Sequence, residues 1–149
     1  MAENPFIGTW RLVSFHTKRA DGQVKYPLGR DAAGYIIYNE DGYVSVAIMN
    51  ANRSKFASGD IFGGTTEEKV AAADTYISYC GRYEIQEGKV IHHIEVSFFP
   101  NWIGADQERI FEFDGERLSL STPPFLVGGV QQTAHMVWER VRKGRKGVQ

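Results

Sequence analysis

The sequence has little of several features that define common protein classes. Its 149 residues include one cysteine, five prolines and no apolar run near the roughly 18 residues that a transmembrane helix needs. The single cysteine, Cys80, leaves no partner for an internal disulfide and no sign of a zinc site, so we interpret it as a structural residue. A formal net charge of −1 offers little attraction to a polyanion. We therefore expect a cytoplasmic protein that binds neither nucleic acid nor membrane.

The two ends of the chain carry no strong targeting signal. Residues 1–5 have neither the basic nor the apolar segment of a secretory signal, which argues against secretion. The last residues, about 142–149, are predicted to be a flexible basic tail, a solvated terminus rather than a nucleic-acid-binding arm. A chain of this length buries roughly two-thirds of its unfolded surface on folding, which predicts a single domain over residues 1–149.

Short stretches of alternating apolar and polar residues, separated by turn residues, run through most of the chain. The turns include Asp41-Gly42 and Asp114-Gly115, which are typical of hairpins. Strands are predicted at residues 6–17, 34–38, 43–49, 76–85, 90–99, 107–113, 117–122 and 131–141. Eight short antiparallel strands are typical of an all-β, closed up-and-down barrel that has room for one small ligand.

One short α-helix is predicted between strands three and four. Thr65 and Glu68 have the spacing of a capping box, and strong helix formers follow them. The helix is expected over about residues 66–75. The small and polar residues 50–64 before it predict a loop near the mouth of the barrel.

A tryptophan near the start of the chain and an arginine near its end predict how the barrel closes. Trp10 follows a glycine in Gly8-Thr9-Trp10, and Arg140 ends the last strand. In a closed barrel, the indole covers the apolar interior at one end and the guanidinium stacks on it. We therefore predict that Trp10 and Arg140 lie together at a sealed end.

The alternation of residues on each strand predicts which side chains point into the barrel. The predicted inward sets are Ile77, Tyr79, Tyr83 and Ile85 on the fourth strand; Val90, His92, Ile94, Val96 and Phe98 on the fifth; Arg109, Phe111 and Phe113 on the sixth; and Ala134, Met136, Trp138 and Arg140 on the last. An inward arginine among tyrosines and a histidine needs an anionic or hydrogen-bonding partner.

These inward polar residues predict a pocket with a defined chemistry. In it, Arg109 orients an anionic or carbonyl oxygen, Tyr79 and Tyr83 donate hydrogen bonds, and His92 exchanges a proton near neutral pH. His92, Arg109 and Tyr83 are the candidate catalytic residues. The alternative is structural: Arg109 caps the barrel end, and His92 is a core histidine whose hydrogen bonds are satisfied.

Aromatic residues indicate the character of the ligand. Seven Tyr, nine Phe and three Trp favour a flat, apolar or aromatic ligand, unless these rings fill the core without leaving a cavity. Trp102 is predicted at the barrel rim. The candidate ligand-binding residues are Tyr79, Tyr83, His92, Arg109, Phe111, Trp102 and Met136. Because His92 and His93 are adjacent on a strand, they point to opposite faces, and we expect neither a metal nor a cofactor.

Several short motifs together resemble the small lipocalin-like domain family of bacteria and fungi. They are residues 8–15, 26–29, 34–38 with 41–43, 79–83, 100–104 with Arg109, and 138–140. The resemblance spans nearly the whole chain and implies an eight-stranded lipocalin-like barrel of the calycin type. Related barrels include carriers of hydrophobic small molecules and enzymes such as isomerases, cyclases and decarboxylases. Unlike secreted lipocalins, the sequence has no disulfide pair.

Two functions follow from the residues and the resemblance together. The first is a protein that binds a small hydrophobic or aromatic molecule in the barrel cavity. The alternative is a cofactor-independent isomerase, cyclase or lyase in which His92, a tyrosine and Arg109 transfer protons and stabilise an oxyanion. A third interpretation is a barrel without a ligand. Such barrels commonly dimerise through an exposed sheet face, so a homodimer is one arrangement that the analogy allows.

Overall fold

Ten antiparallel strands form one sheet that closes on itself. The computed structural model describes residues 3–142. The strands are β1 Gly8–Arg19, β2 Val24–Lys25, β3 Ala33–Tyr38, β4 Tyr43–Met49, β5 Tyr76–Gln86, β6 Lys89–Ser97, β7 Asp106–Asp114, β8 Arg117–Ser121, β9 Phe125–Val127 and β10 Val130–Arg140. A helix, α1, spans Thr66–Asp74, and a short 3₁₀ helix spans Pro100–Trp102.

The eight longer strands make the predicted barrel. Their order is β1-β3-β4-β5-β6-β7-β8-β10, and pairing between β1 and β10 closes the ring. The prediction of an all-β, eight-stranded antiparallel barrel is therefore confirmed. The two additional strands, β2 and β9, pair with β1 and β10 respectively, and they are too short to show an alternating pattern in the sequence.

The helix between β4 and β5 begins at the predicted capping box. Thr65 Oγ1 accepts a hydrogen bond from the backbone N–H of Glu68 at 3.1 Å, and Glu68 Oε1 accepts one from the N–H of Thr65 at 2.9 Å. None of its residues is buried. Among residues 3–142, no helix has the length and apolar character needed to cross a membrane.

A β-bulge changes the predicted inward face of β6. Cys80 pairs with Val96, whereas its neighbour Gly81 pairs with Ile94, so Glu95 is an extra residue. An extra residue reverses the alternation beyond it. The prediction that Val96 and Phe98 point inward is therefore wrong: Val96 is 64% exposed and Phe98 is about half exposed. Ile85, near the end of β5, is also exposed rather than inward.

Aromatic rings fill the end of the barrel where β1 begins. Trp10 is fully buried, and its Nε1–H donates to the carbonyl of Phe6 at 2.9 Å. The rings of Tyr38, Phe111 and Phe113 lie about 5 Å from the ring of Phe6 in edge-to-face contacts. Little space is left at this end, which we call the closed end.

Arg140 lies over the closed end and ties it to the N-terminal segment. Its guanidinium carbon is 4.1 Å from the centroid of the Trp10 ring. Nη1 and Nη2 donate to the carbonyls of Ile7 and Pro5, at 2.9 and 2.7 Å. Arg142 pairs with Glu116, and the rest of the predicted basic tail, residues 143–149, lies outside the described residues.

We expect a Gly81→Ala substitution to destabilise the protein at the bulge. A Cβ atom on Gly81 would overlap the carbonyl oxygen of His93 and lie 2.9 Å from the backbone nitrogen of Glu95. Since backbone atoms cannot move aside cheaply, the free energy of unfolding should fall by about 1–3 kcal/mol in urea titrations. Gly59→Ala is the control, because nothing lies within 4 Å of a Cβ there. Equal midpoints for the two variants would contradict this account of the bulge.

The contacts of Arg140 predict a second loss of stability. Arg140→Ala removes a cation–π contact and two charge-assisted hydrogen bonds, so we expect the free energy of unfolding to fall by about 1–3 kcal/mol. Arg117→Ala provides the control, because Arg117 is exposed and only 4.0 Å from Glu139. Thermal and urea unfolding of both variants measure the difference. A loss in Arg140→Ala no larger than in the control would show that the closed end does not need this side chain.

Candidate functional site

A cavity of about 200 Å³ occupies the barrel toward the end opposite Trp10. Its wall is mainly apolar and comes from β1, β4, β5, β7 and β10. Short segments outside the long strands contribute the rim, including Pro27 and Trp102. The lining residues are Phe15, Thr17, Pro27, Val46, Ile48, Ile77, Tyr79, Trp102, Gln107, Arg109, Thr122, Phe125, Leu126, Val127, Ala134 and Met136.

A buried arginine supplies the charge in this cavity. Arg109, on β7, is 8% exposed. Its Nη1 donates to Gln107 Oε1 at 3.2 Å and to the carbonyl of Glu108 at 3.0 Å. Within the part of the chain that the structure describes, Arg109 forms no ion pair. The guanidinium is therefore a nearly buried cation whose charge no carboxylate neutralises.

A histidine lies between two tyrosines next to the cavity. The Nε2 atom of His92 is 2.7 Å from the hydroxyl of Tyr38, and its Nδ1 atom is 2.7 Å from the hydroxyl of Tyr79. His92 and Tyr38 belong to the buried core, whereas Tyr79 also lines the cavity. The three side chains thus connect the closed end with the cavity wall.

Burial keeps all three of these groups uncharged near neutral pH. Burial, with a smaller contribution from the charge of Arg109, holds the pKa of His92 well below its usual value. It raises the pKa of Tyr38 strongly and that of Tyr79 as well, although Arg109 acts in the opposite direction on both. The imidazole is therefore neutral, and both tyrosines keep their hydroxyl protons.

Four of the seven predicted ligand-binding residues line the cavity. Tyr79 and Arg109 form its polar end, and Met136 is part of the apolar wall. Trp102 lies at the rim, where its ring meets that of Tyr79 edge-on at 5.8 Å. The other predicted residues lie outside the cavity lining.

Alternation predicts which face of a strand a residue occupies, but it does not predict the depth of that residue along the barrel. For this reason, three predicted ligand-binding residues lie outside the cavity lining: His92, Tyr83 and Phe111. His92 is separated from the cavity by Tyr79, with both ring nitrogens engaged. The Tyr83 hydroxyl donates to the carbonyl of Asn39 and accepts from Asn4. Phe111 packs against Phe6 at the closed end.

Three polar residues of the cavity wall were not predicted from the sequence. Thr17, Gln107 and Thr122 line it, and the Thr17 hydroxyl oxygen is buried with no hydrogen-bond partner among residues 3–142. Thr17 lies two residues from Phe15 on β1, so alternation alone would have placed it inside. Thr122 Oγ1 accepts from the N–H of Ala134 at 2.9 Å, which leaves its own proton for another partner.

The neighbouring histidine, His93, is on the outer surface. Its Nδ1 is 2.7 Å from Asp106 and its Nε2 is 3.1 Å from Glu84. The hydrogen bonds to Asp106 and then Glu84 raise the pKa of His93, opposite to the shift in His92. Across the described residues, no group of three or more His, Cys, Asp or Glu side chains is arranged to hold a metal ion.

The chain is similar to a known domain family and to a known carrier protein. The profile of a lipocalin-like domain matches residues 7–141. The chain is also similar to a protein of Aspergillus oryzae, the 4′-hydroxy-3′-methoxypropiophenone carrier protein. The two are 31% identical over 107 residues, which are 66% of this chain and 96% of the relative.

We expect His92 to make the folded protein less stable in mild acid. The unfolded chain takes up a proton at His92 near pH ~6.5, whereas the folded protein keeps the imidazole neutral. Because the unfolded state then binds more protons, the free energy of unfolding should fall as the pH drops below this value, by up to about 1.4 kcal/mol per pH unit.

Urea titrations at pH 7.5 and 5.5 test this expectation by comparing the protein with a His92→Gln variant, which cannot titrate there. The variant should lose less stability on acidification. The opposite contribution of His93, which favours the folded state in acid, is present in both proteins and cancels in the comparison. Parallel losses in the two proteins would show that His92 is protonated in the folded state.

Proposed function

This chain belongs to the family of lipocalin-like domains, and from that premise we propose that it binds a small aromatic molecule inside its barrel. The observation that carries the proposal is the nearly buried cation of Arg109 at the polar end of an otherwise apolar cavity. A charge in such a place is costly unless a partner satisfies it. An oxygen atom of a bound molecule is a suitable partner.

The size of the cavity supports a ligand of about one ring. An engineered cavity of about 150 Å³ is enough to bind benzene. At about 200 Å³, the barrel cavity has room for a benzene ring with small substituents. Its walls include Phe15, Val46 and Met136, which suit the faces of an aromatic ring better than a polar molecule.

The relative from Aspergillus oryzae supports the same ligand class. Its name describes a carrier of a molecule with one aromatic ring, a ketone, a hydroxyl and a methoxy group. Such a molecule combines a flat apolar body with oxygen atoms. We infer that this chain takes an oxygenated single-ring compound, with the ring against the apolar wall and an oxygen near Arg109.

The alternative, a cofactor-independent isomerase, cyclase or lyase, has less support from the geometry. It requires His92, a tyrosine and Arg109 to transfer protons and stabilise an oxyanion, and Tyr83 is the candidate catalytic tyrosine. His92 lies behind Tyr79 with both nitrogens hydrogen-bonded, and the Tyr83 hydroxyl is engaged near the closed end. A general base has to reach the proton that it removes, directly or through one water. Incubation of the protein with bound ligands, followed by mass spectrometry, tests for turnover.

Filling the cavity should abolish binding. We expect 4′-hydroxyacetophenone and 4′-hydroxy-3′-methoxypropiophenone to quench the fluorescence of Trp102 at the rim and to raise the melting temperature. Ala134 is buried in the cavity wall, so Ala134→Leu places three carbon atoms in the space for the ring. Its affinity should fall by about tenfold or more, which corresponds to about 1.4 kcal/mol.

Ala71→Leu is the matched control for this experiment. It makes the same chemical change on the exposed surface of α1, in a surface depression that shares no residue with the cavity lining. Its affinity should equal that of the unmodified protein. Equal weakening in both variants, or no binding of either ketone or of a wider set of oxygenated aromatics, would contradict the proposed function.

A further inference from the structure

The two hydrogen bonds of His92 limit which groups can donate and which can accept between Tyr38 and the cavity. His92 contacts Tyr38 through Nε2 and Tyr79 through Nδ1, each at 2.7 Å. A neutral imidazole has one nitrogen that donates and one that accepts. One tyrosine must therefore donate its proton to His92, and the other accepts a proton from His92.

The surroundings of Tyr38 determine which arrangement is favoured. Tyr38 is 1% exposed, and its hydroxyl has no hydrogen-bond partner other than His92 within residues 3–142. If Tyr38 accepted from His92, its own proton would be buried without a partner, which is unfavourable. Tyr38 therefore donates to Nε2, and the proton of His92 is on Nδ1, from which it donates to the oxygen of Tyr79.

The hydroxyl proton of Tyr79 is then available for another acceptor. The surroundings of this hydroxyl differ from those of the Tyr38 hydroxyl. The Tyr79 side chain lines the cavity, where a ligand atom can accept that proton. Arg109 brings further N–H donors to the same polar end. The oxygen of Gln107 and the backbone carbonyl of Glu108 both accept from Arg109 Nη1, at 3.2 and 3.0 Å.

We propose that Tyr38 and His92 hold Tyr79 as a hydrogen-bond donor, so that the polar end of the cavity selects an aromatic ligand with a proton-free oxygen, a carbonyl or a carboxylate. Tyr38 is then a positioning residue, which acts on the ligand through two other side chains. This inference rests on the proposed function for its ligand and adds the chemical group that the site recognises. The reverse arrangement would favour a ligand that donates a proton.

Nuclear magnetic resonance of ¹⁵N-labelled histidine tests the direction in the ligand-free protein. We expect the His92 signals to show a protonated Nδ1 and an unprotonated Nε2. In Tyr38→Phe, Nε2 loses its donor, so both tautomers should be present. Tyr35→Phe is the matched control, because Tyr35 is on the same strand and about half exposed, and it should leave the signals unchanged. A protonated Nε2 in the unmodified protein would overturn the proposal.

Binding of two molecules of similar shape tests the selectivity. Acetophenone has a carbonyl oxygen where ethylbenzene has none, so we expect the protein to bind acetophenone about tenfold more tightly, as one additional hydrogen bond predicts. This preference, measured as the ratio of the two affinities in each protein, should fall in Tyr79→Phe, where the N–H groups of Arg109 are the remaining donors, and it should fall less in Tyr38→Phe. Benzoate, as a third probe, distinguishes a carboxylate ligand from a ketone.

The outcomes separate this inference from the function on which it rests. Binding of acetophenone and ethylbenzene with equal affinity, or a preference as large in Tyr79→Phe as in the unmodified protein, would overturn the inference and leave the proposed function intact. Absence of binding by all three probes would contradict the proposed function. In that case, the histidine signals still decide the direction of the hydrogen bonds.

Discussion

The pairing of the first long strand with the last is the constraint on which the rest of the structure depends. Once β1 pairs with β10, each of the eight long strands among the described residues pairs with two other long strands, so the ring that they form has no terminal strand. Closure also fixes the size of the interior, because eight strands enclose only enough space for side chains and one small ligand. Each large side chain at one end therefore determines how much room remains at the other.

That division of space explains why the polar residues lie where they do. Phe6 and Trp10 fill the closed end. Toward the opposite end, small or flexible side chains such as Ala134 and Met136 leave space unfilled, and this space is the cavity. His92 lies at the boundary, with Tyr38 on the filled side and Tyr79 on the empty side. Burying such groups costs stability unless each hydrogen bond is made. The burial of apolar side chains at the closed end offsets the loss of stability that comes from burying these polar groups.

The sequence predicted the elements of the barrel better than their details, and the reason is physical. Alternation and hairpin turns are local signals, and so is the capping box of Thr65, so eight strands and the helix were predictable. A single extra residue such as Glu95 has no local signal, yet it reverses the face of Val96. Depth along the barrel is a further property that alternation does not carry. Tyr83 and Phe111 were predicted to point inward with the cavity residues, but because of their depth along the barrel they lie outside the cavity.

The protonation of the cavity wall favours holding a ligand over transforming it. Among the described lining residues, the ionisable side chains are the guanidinium of Arg109, which is a donor only, and the hydroxyl of Tyr79, whose pKa is raised by burial, so neither is a base near neutral pH. Proton abstraction needs a base with a pKa near the operating pH. The nearest candidate is His92, which keeps no free nitrogen and whose pKa burial moves away from neutrality. Donors without a base can bind and orient an oxygen atom, and that is the chemistry a carrier needs.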